Sequence, residues 1–247
     1  MKFIRKHLKL IVFIITCILI YIIYINNSNV KRINYISLGD GYASGINSYG
    51  EKNYGYSDYL KDYLNSNNKL NNYCNYSSND MKIKDLYNDI LINKQSINNE
   101  SMKQALRDAN ILTISIGLND LIYRKSIQTN NIGNKEDIII QNIMIDLYEL
   151  ITEIKKYYKY EIYIIGYYNF YPQNSVENKL LNKLNIKYKQ FSKKNNLIYI
   201  DNSNMNSNLK LYLNNPNSHF PNIEGYKKIY SNILMDLEVW FTSSFML

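Results

Sequence analysis

The segment ILTISI, Ile111 to Ile116, is a short and almost wholly apolar run followed at once by Gly117-Leu118-Asn119-Asp120. A strand of this kind is buried on both faces, as the central strands of parallel sheets are. Reading outward, the same alternation repeats in both directions. Ile33–Leu38 reads as a first strand ending in Gly39-Asp40-Gly41, and Tyr54–Asn65 as a helix with Tyr56, Tyr59, Leu60, Tyr63 and Leu64 at i, i+3, i+4 spacing. Leu70–Tyr76 is a second strand and Ile83–Asn93 a helix, with a short helix at Met102–Arg107 leading into ILTISI. Downstream come a long helix over Glu136–Tyr158, a fourth strand at Glu161–Ile165 and a helix over Val176–Lys194. A fifth strand at Leu197–Ile200 and a closing helix over Asn222–Phe241 complete the pattern. Helices long enough to act as crossovers between strands predict one parallel α/β sheet covered on both faces. Gln128–Lys135 and Ser203–Asn208 read as surface loops. Ligands in such sheets sit beyond the carboxyl ends of the strands, so chemistry is expected after Leu38, Ile116, Ile165 and Ile200.

Composition agrees with a single packed domain. The chain has 247 residues, of which 46% are hydrophobic and 20% charged, so it can bury a full core. Its 26 Tyr residues, alongside abundant Asn, Lys and Ile, reflect the codon bias of an AT-rich genome, and a Tyr or Asn by itself carries little functional information. The net charge is +8, from 29 basic and 21 acidic residues. Lys2, Arg5, Lys6 and Lys9 all precede an apolar stretch, and without them 25 cations face 21 acids. No basic track remains for nucleic acid.

That apolar stretch, Leu10 to Ile25, is uncharged and follows four cations, which marks a membrane-targeting segment with the N-terminus inside. It is slightly shorter than the ~20 residues of a typical span. No small-x-small cleavage site precedes Asn26, so an uncleaved anchor is favoured over a secreted form. The expected organisation is a cytoplasmic tail and signal-anchor over 1–25, a spacer over 26–32, and one extracytoplasmic domain over 33–247. Cys17 lies inside the apolar run and Cys74 stands alone outside it, a buried thiol with no disulfide partner.

Three segments carry possible chemistry: SLGDGYASG from Ser37 to Gly45, ISIGLND from Ile114 to Asp120, and NPNSHFPNIEGY from Asn215 to Tyr226. In this order, and after these strands, they resemble the blocks of the SGNH (GDSL-like) hydrolase family over about residues 33–240. The resemblance implies a three-layer domain with a five-stranded, flavodoxin-like parallel sheet. It also implies serine ester hydrolysis, in which a Ser nucleophile, a C-terminal His base and an Asp three residues before it act together. Backbone N–H groups and an Asn form the oxyanion hole. Carried over, the resemblance assigns the cleft to Asp40, Gly41, Gly117, Asn119 and Asp120, with Asn119 as an oxyanion donor and His219 as the family-like base. Ser77, Ser78 or Asn79 would supply the donor of the weakly matched second block.

The departures from the pattern are specific. Glycine 41 holds the nucleophile position. Aligning Pro221-Asn222 and Gly225-Tyr226 with the family's final block puts Phe220 at the base position and Asn217 at the Asp position, with His219 one residue out. Aligning His219 itself leaves Pro216 where the Asp belongs. Ser44 is either a displaced nucleophile or a helix-start hydroxyl. Two His separated by the apolar segment give no metal cluster, and no phosphate-binding fingerprint is present, so neither metal nor cofactor is expected. Asp40 and Asp120 read as carboxylates that pin loops. Tyr42, Tyr167, Tyr168 and Phe170 are either aromatic platforms for a ligand or ordinary core. The expected protein is a membrane-anchored pseudoenzyme binding an acylated glycan, lipid or cell-wall component. The alternatives are an active ester hydrolase or O-deacetylase using Ser44 and His219, and an envelope scaffold.

Overall fold

The computed structural model of the chain describes residues 12–21, 32–96, 100–127 and 135–244. Five parallel strands form one sheet: β1 (Ile33–Gly39), β2 (Leu70–Ser77), β3 (Ile111–Ser115), β4 (Ile162–Ile165) and β5 (Ile198–Ile200), in the order β2-β1-β3-β4-β5. Every residue of β3 and β4 is buried, as their unbroken apolar character predicts. Register decides what stands at the top of the sheet. Tyr35 to Gly39 pair in step with Ile111 to Ser115, so β1 and β3 end at the same level. Gly39 leaves the strand at φ +128°, against the Ser115 carbonyl, where a Cβ would collide with backbone. The next residue, Asp40, donates its N–H to the Ser115 carbonyl at 2.8 Å.

The helices follow the crossovers. They are α1 (Gly41–Ser44), α2 (Tyr56–Ser66), α3 (Ile83–Leu91), α4 (Met102–Asp108), α5 (Leu118–Ile127), α6 (Lys135–Ile154), α7 (Val176–Asn195), α8 (Leu209–Tyr212) and α9 (Ile223–Ser244). Helices α2 and α9 pack together on one face, and α3, α6 and α7 on the other, giving three layers. Two local expectations change. Ser203–Asn208 is a 3-10 helix, with Met205 buried beneath it, because one apolar side chain gives the polar segment something to fold over. Asn222 is not the first residue of the last helix: its side chain accepts the Gly225 N–H at 2.9 Å and so caps the helix start. Lys135 begins α6, and the rest of the loop predicted at Gln128–Lys135 lies outside the described residues.

Of the expected anchor, Val12 to Tyr21 is helical, with its apolar side chains exposed. The remainder of residues 1–25 lies outside the described residues. Among the described residues, no helix is long and apolar enough to cross a membrane. Cys74 is buried and donates its Sγ hydrogen to Glu100 Oε2 at 3.0 Å, and burial first, then the nearby carboxylate, pushes the thiol up to about 12.

Candidate active-site region

The three sequence blocks meet at the carboxyl ends of β1 and β3. Asp40 is the hub. Its Oδ1 accepts from the Tyr42 N–H at 3.1 Å, which caps α1, and from Ser115 Oγ at 2.9 Å. Its Oδ2 accepts from the Tyr167 hydroxyl at 2.5 Å, and that hydroxyl in turn accepts the Leu118 N–H at 3.3 Å. One buried carboxyl thus ties the turn after β1 to β3, to the start of α5 and to the segment after β4. Desolvation dominates its electrostatics and pushes its pKa from 3.8 up to about 7, against the lowering effect of the three hydrogen bonds. Asp120 accepts the Ile83 N–H at 3.0 Å, and burial lifts it to about 6.

Asn119 is committed to the neighbouring loop. Its Nδ2 donates to the carbonyls of Asn79 at 2.8 Å and Met81 at 3.1 Å. Together with Asp120 it clamps the loop after β2 onto the start of α5. Gly117, at φ +109°, lies under the Tyr188 hydroxyl, which donates to the Ile116 carbonyl at 2.8 Å. Any side chain at this position would displace that hydroxyl and meet the strain of a left-handed backbone.

The space above Gly41 is occupied. A Cβ built on Gly41 would collide with the edge of the Phe220 ring, 2.6 Å from its Cζ, and would stand 3.0 Å from Asn79 Oδ1. The Phe220 ring fills the space that a side chain on residue 41 would use. His219 points elsewhere. Its ring lies tilted by 45° against Phe220 with centroids 4.0 Å apart and approaches Phe170 at 5.7 Å. Its backbone carbonyl is held by the hydroxyls of Tyr42 at 2.7 Å and Tyr168 at 3.2 Å. Desolvation lowers the imidazole to about 4, so it is neutral at pH 7. Among the described residues, no carboxylate bonds to it, and Asn217 is exposed.

Ser44 is not at the start of α1. It is the last residue of that helix, buried, with its Oγ donating to the Gly41 carbonyl at 3.3 Å, while Asp40 is the cap. The hydroxyl-bearing residue that matters at this spot was not flagged by the sequence: Ser48 donates to the Phe220 carbonyl at 2.8 Å. Tyr226 adds bonds to the carbonyls of Ile46 at 2.5 Å and Gly41 at 3.2 Å. These bonds latch the C-terminal loop over α1. Tyr42, Tyr167 and Tyr168 are not platforms on a surface. They are almost fully buried and form, with Phe220 and Tyr226, an aromatic cluster around Tyr42 with centroid separations of 5.1 to 6.3 Å.

The arrangement ties the segments after β1, β2, β3 and β4 together through buried polar groups, with the Phe220 ring over Gly41. No group of three or more His, Cys, Asp or Glu able to hold a metal exists among the described residues.

The family model for GDSL-like lipases and acylhydrolases matches residues 35–233. No curated protein matches the chain significantly in sequence. Solved structures share the fold. A lipase, Lip_vut3, from a goat rumen metagenome is 16% identical, with a TM-score of 0.68 over 82% of this chain and 96% of that one. The acetylxylan esterase Axe2 from Geobacillus stearothermophilus is 17% identical, with a TM-score of 0.63 over 83% of this chain and 94% of that one.

Proposed function

Because the chain belongs to the GDSL-like lipase/acylhydrolase family, we propose that it is a non-hydrolysing member. In this reading it is held at the membrane by its N-terminal segment and engages an acylated glycan, lipid or cell-wall component without cleaving it. The observation that carries the proposal is the Phe220 ring standing over Gly41. Acyl transfer through a serine needs a hydroxyl beside a base, and here the first position has no side chain while the second is a hydrocarbon ring. Among the structural neighbours are catalytic mutants of the acetylxylan esterase altered at a serine, an aspartate and a histidine. In this reading, the register through Pro221 and Gly225 assigns the corresponding roles to Gly41, Asn217 and Phe220. The acetylated glycan in the name of that esterase is the reason for placing glycans first among ligand classes.

The test is hydrolysis of a short-chain chromogenic ester by the full chain in detergent. Turnover indistinguishable from the blank is expected. The triple variant Gly41→Ser, Asn217→Asp, Phe220→His is expected to gain measurable turnover, since the backbone of the cleft is retained. Native turnover that vanishes in Ser44→Ala or His219→Ala would overturn the proposal in favour of an active hydrolase. The aromatic filling around Tyr42 also favours a second reading, an envelope scaffold with no small ligand, which a failure of all glycan binding would support.

A further inference from the structure

A cavity of about 420 Å³ lies beside the closed cleft, beyond the carboxyl ends of β4 and β5. It is lined by Asn169, Tyr171, Gln173, Asn178, Asn182 and Asn206, with a single aliphatic side chain. Its volume falls within the ~300–1,000 Å³ of small-molecule sites, and its position is where open α/β sheets bind ligands. No charged side chain lines it.

Its wall is ordered from within. Asn169 is buried, and its Nδ2 donates to the Asn178 carbonyl at 3.0 Å and to Asn182 Oδ1 at 2.8 Å. Asn182 Nδ2 donates on to Asn178 Oδ1 at 3.1 Å, and Asn178 Nδ2 to the Tyr171 carbonyl at 3.2 Å. The Asn169 N–H is taken by Asn206 Oδ1 at 2.7 Å. This network uses up Asn169, Asn178 and much of Asn182 as scaffolding. It leaves the Asn206 amide nitrogen, the Gln173 amide and the Tyr171 hydroxyl, all on lining residues, outside the network. The Tyr171 ring, held 4.3 Å from Phe170 between centroids, supplies an aromatic wall.

We infer that this cavity binds a neutral oligosaccharide. Amides donate and accept together, as sugar hydroxyls do, and an aromatic ring covers the apolar face of a pyranose. An anionic ligand would lack a cation here, and an acyl chain would leave the amides of Gln173 and Asn206 without partners. The inference deepens the glycan reading above but does not depend on the loss of hydrolysis: ester turnover by the native chain would overturn that loss and leave the cavity untouched.

The experiment titrates the full chain, in a detergent without sugar headgroups, with xylohexaose and with N-acetylglucosamine hexamer, using an oligogalacturonate as the anionic control. Saturable calorimetric binding of at least one neutral oligomer at millimolar or lower concentration is expected. Tyr171→Ala, and separately the double variant Gln173→Ala, Asn206→Ala, should each weaken it about tenfold or more. Asn206 also accepts the Asn169 N–H, so Gln173→Ala alone, which removes only an exposed side chain, reads out the site if either of the others disturbs folding. Absence of saturation with both neutral oligomers, equal binding of the oligogalacturonate, or native affinity in the folded double variant would each overturn the inference.

Discussion

At Gly41, a missing side chain and an added ring are complementary. Restoring only the side chain should therefore destabilise the protein. Gly41→Ser forces its Cβ against Phe220, and overpacking of this kind costs roughly 1–3 kcal/mol. Urea unfolding should show that loss, and Phe220→His in the same chain should recover part of it because imidazole is smaller than phenyl. An unchanged midpoint for Gly41→Ser would mean that the ring moves aside freely. Asp40 supports a second prediction. Its carboxyl keeps a proton up to about pH 7 in the folded state, whereas the unfolded chain releases it near 3.8. The folded state therefore holds the extra proton across that window, and this group's contribution to stability falls as pH rises from about 4 to 7. Asp120, raised to about 6, acts in the same direction over the lower part of the window. His219, lowered to about 4 from 6.5, acts oppositely, since the unfolded chain there binds the proton that the folded chain lacks. Asp40→Asn should remove the largest falling component, so that stability measured from pH 4.5 to 8 declines less, or rises, relative to native. Parallel pH curves for the two proteins would sink the assignment.

Among the elements, the latch between α1 and the C-terminal loop holds Phe220 in place. Ser48→Ala removes the hydroxyl that donates to the Phe220 carbonyl, and Tyr226→Phe removes the bonds to the Ile46 and Gly41 carbonyls. Each should cost about 1–3 kcal/mol, because a buried carbonyl is left without its partner. Amide exchange should quicken locally across residues 213–222, and uniform quickening over the whole domain would contradict a local latch. Helix α7 makes a comparable case. Ser175 caps it by accepting the Asn178 N–H at 3.0 Å, so Ser175→Ala should lower stability by about 1 kcal/mol. A thermal midpoint identical to native would show that the cap is redundant. The regular elements of this chain were readable because their apolar residues recur with the period of a helix or fill a whole strand. Helix α5 was not assigned from the sequence, since Leu118, Asp120 and Leu121 are its only buried residues and two of the three also belong to a motif. The short turns of α1 and α8 lack the length needed to show any period.

For the molecule as a whole, the N-terminal segment predicts behaviour that the folded domain does not. The full chain should stay with membranes after an alkaline carbonate wash, and removal of residues 1–31 should release it. Retention of the shortened chain would mean that the domain itself binds the bilayer. The sequence alone determined the α/β alternation, the assignment of the three blocks to strand ends and the absence of a side chain at residue 41. Each depends on residue type and local spacing. Only the tertiary structure put the Phe220 ring over Gly41 and the His219 ring beside Phe170. Placement on a loop is set by distant contacts, here the hydroxyls of Tyr42, Tyr168 and Ser48 on the carbonyls of His219 and Phe220. It alone also sent the Asn119 amide to the Asn79 and Met81 carbonyls. In a chain rich in Asn and Tyr, the residues that line the cavity after β4 carry no local signal. They became distinguishable when folding brought α7, the segment after β4 and the 3-10 helix after β5 around one space.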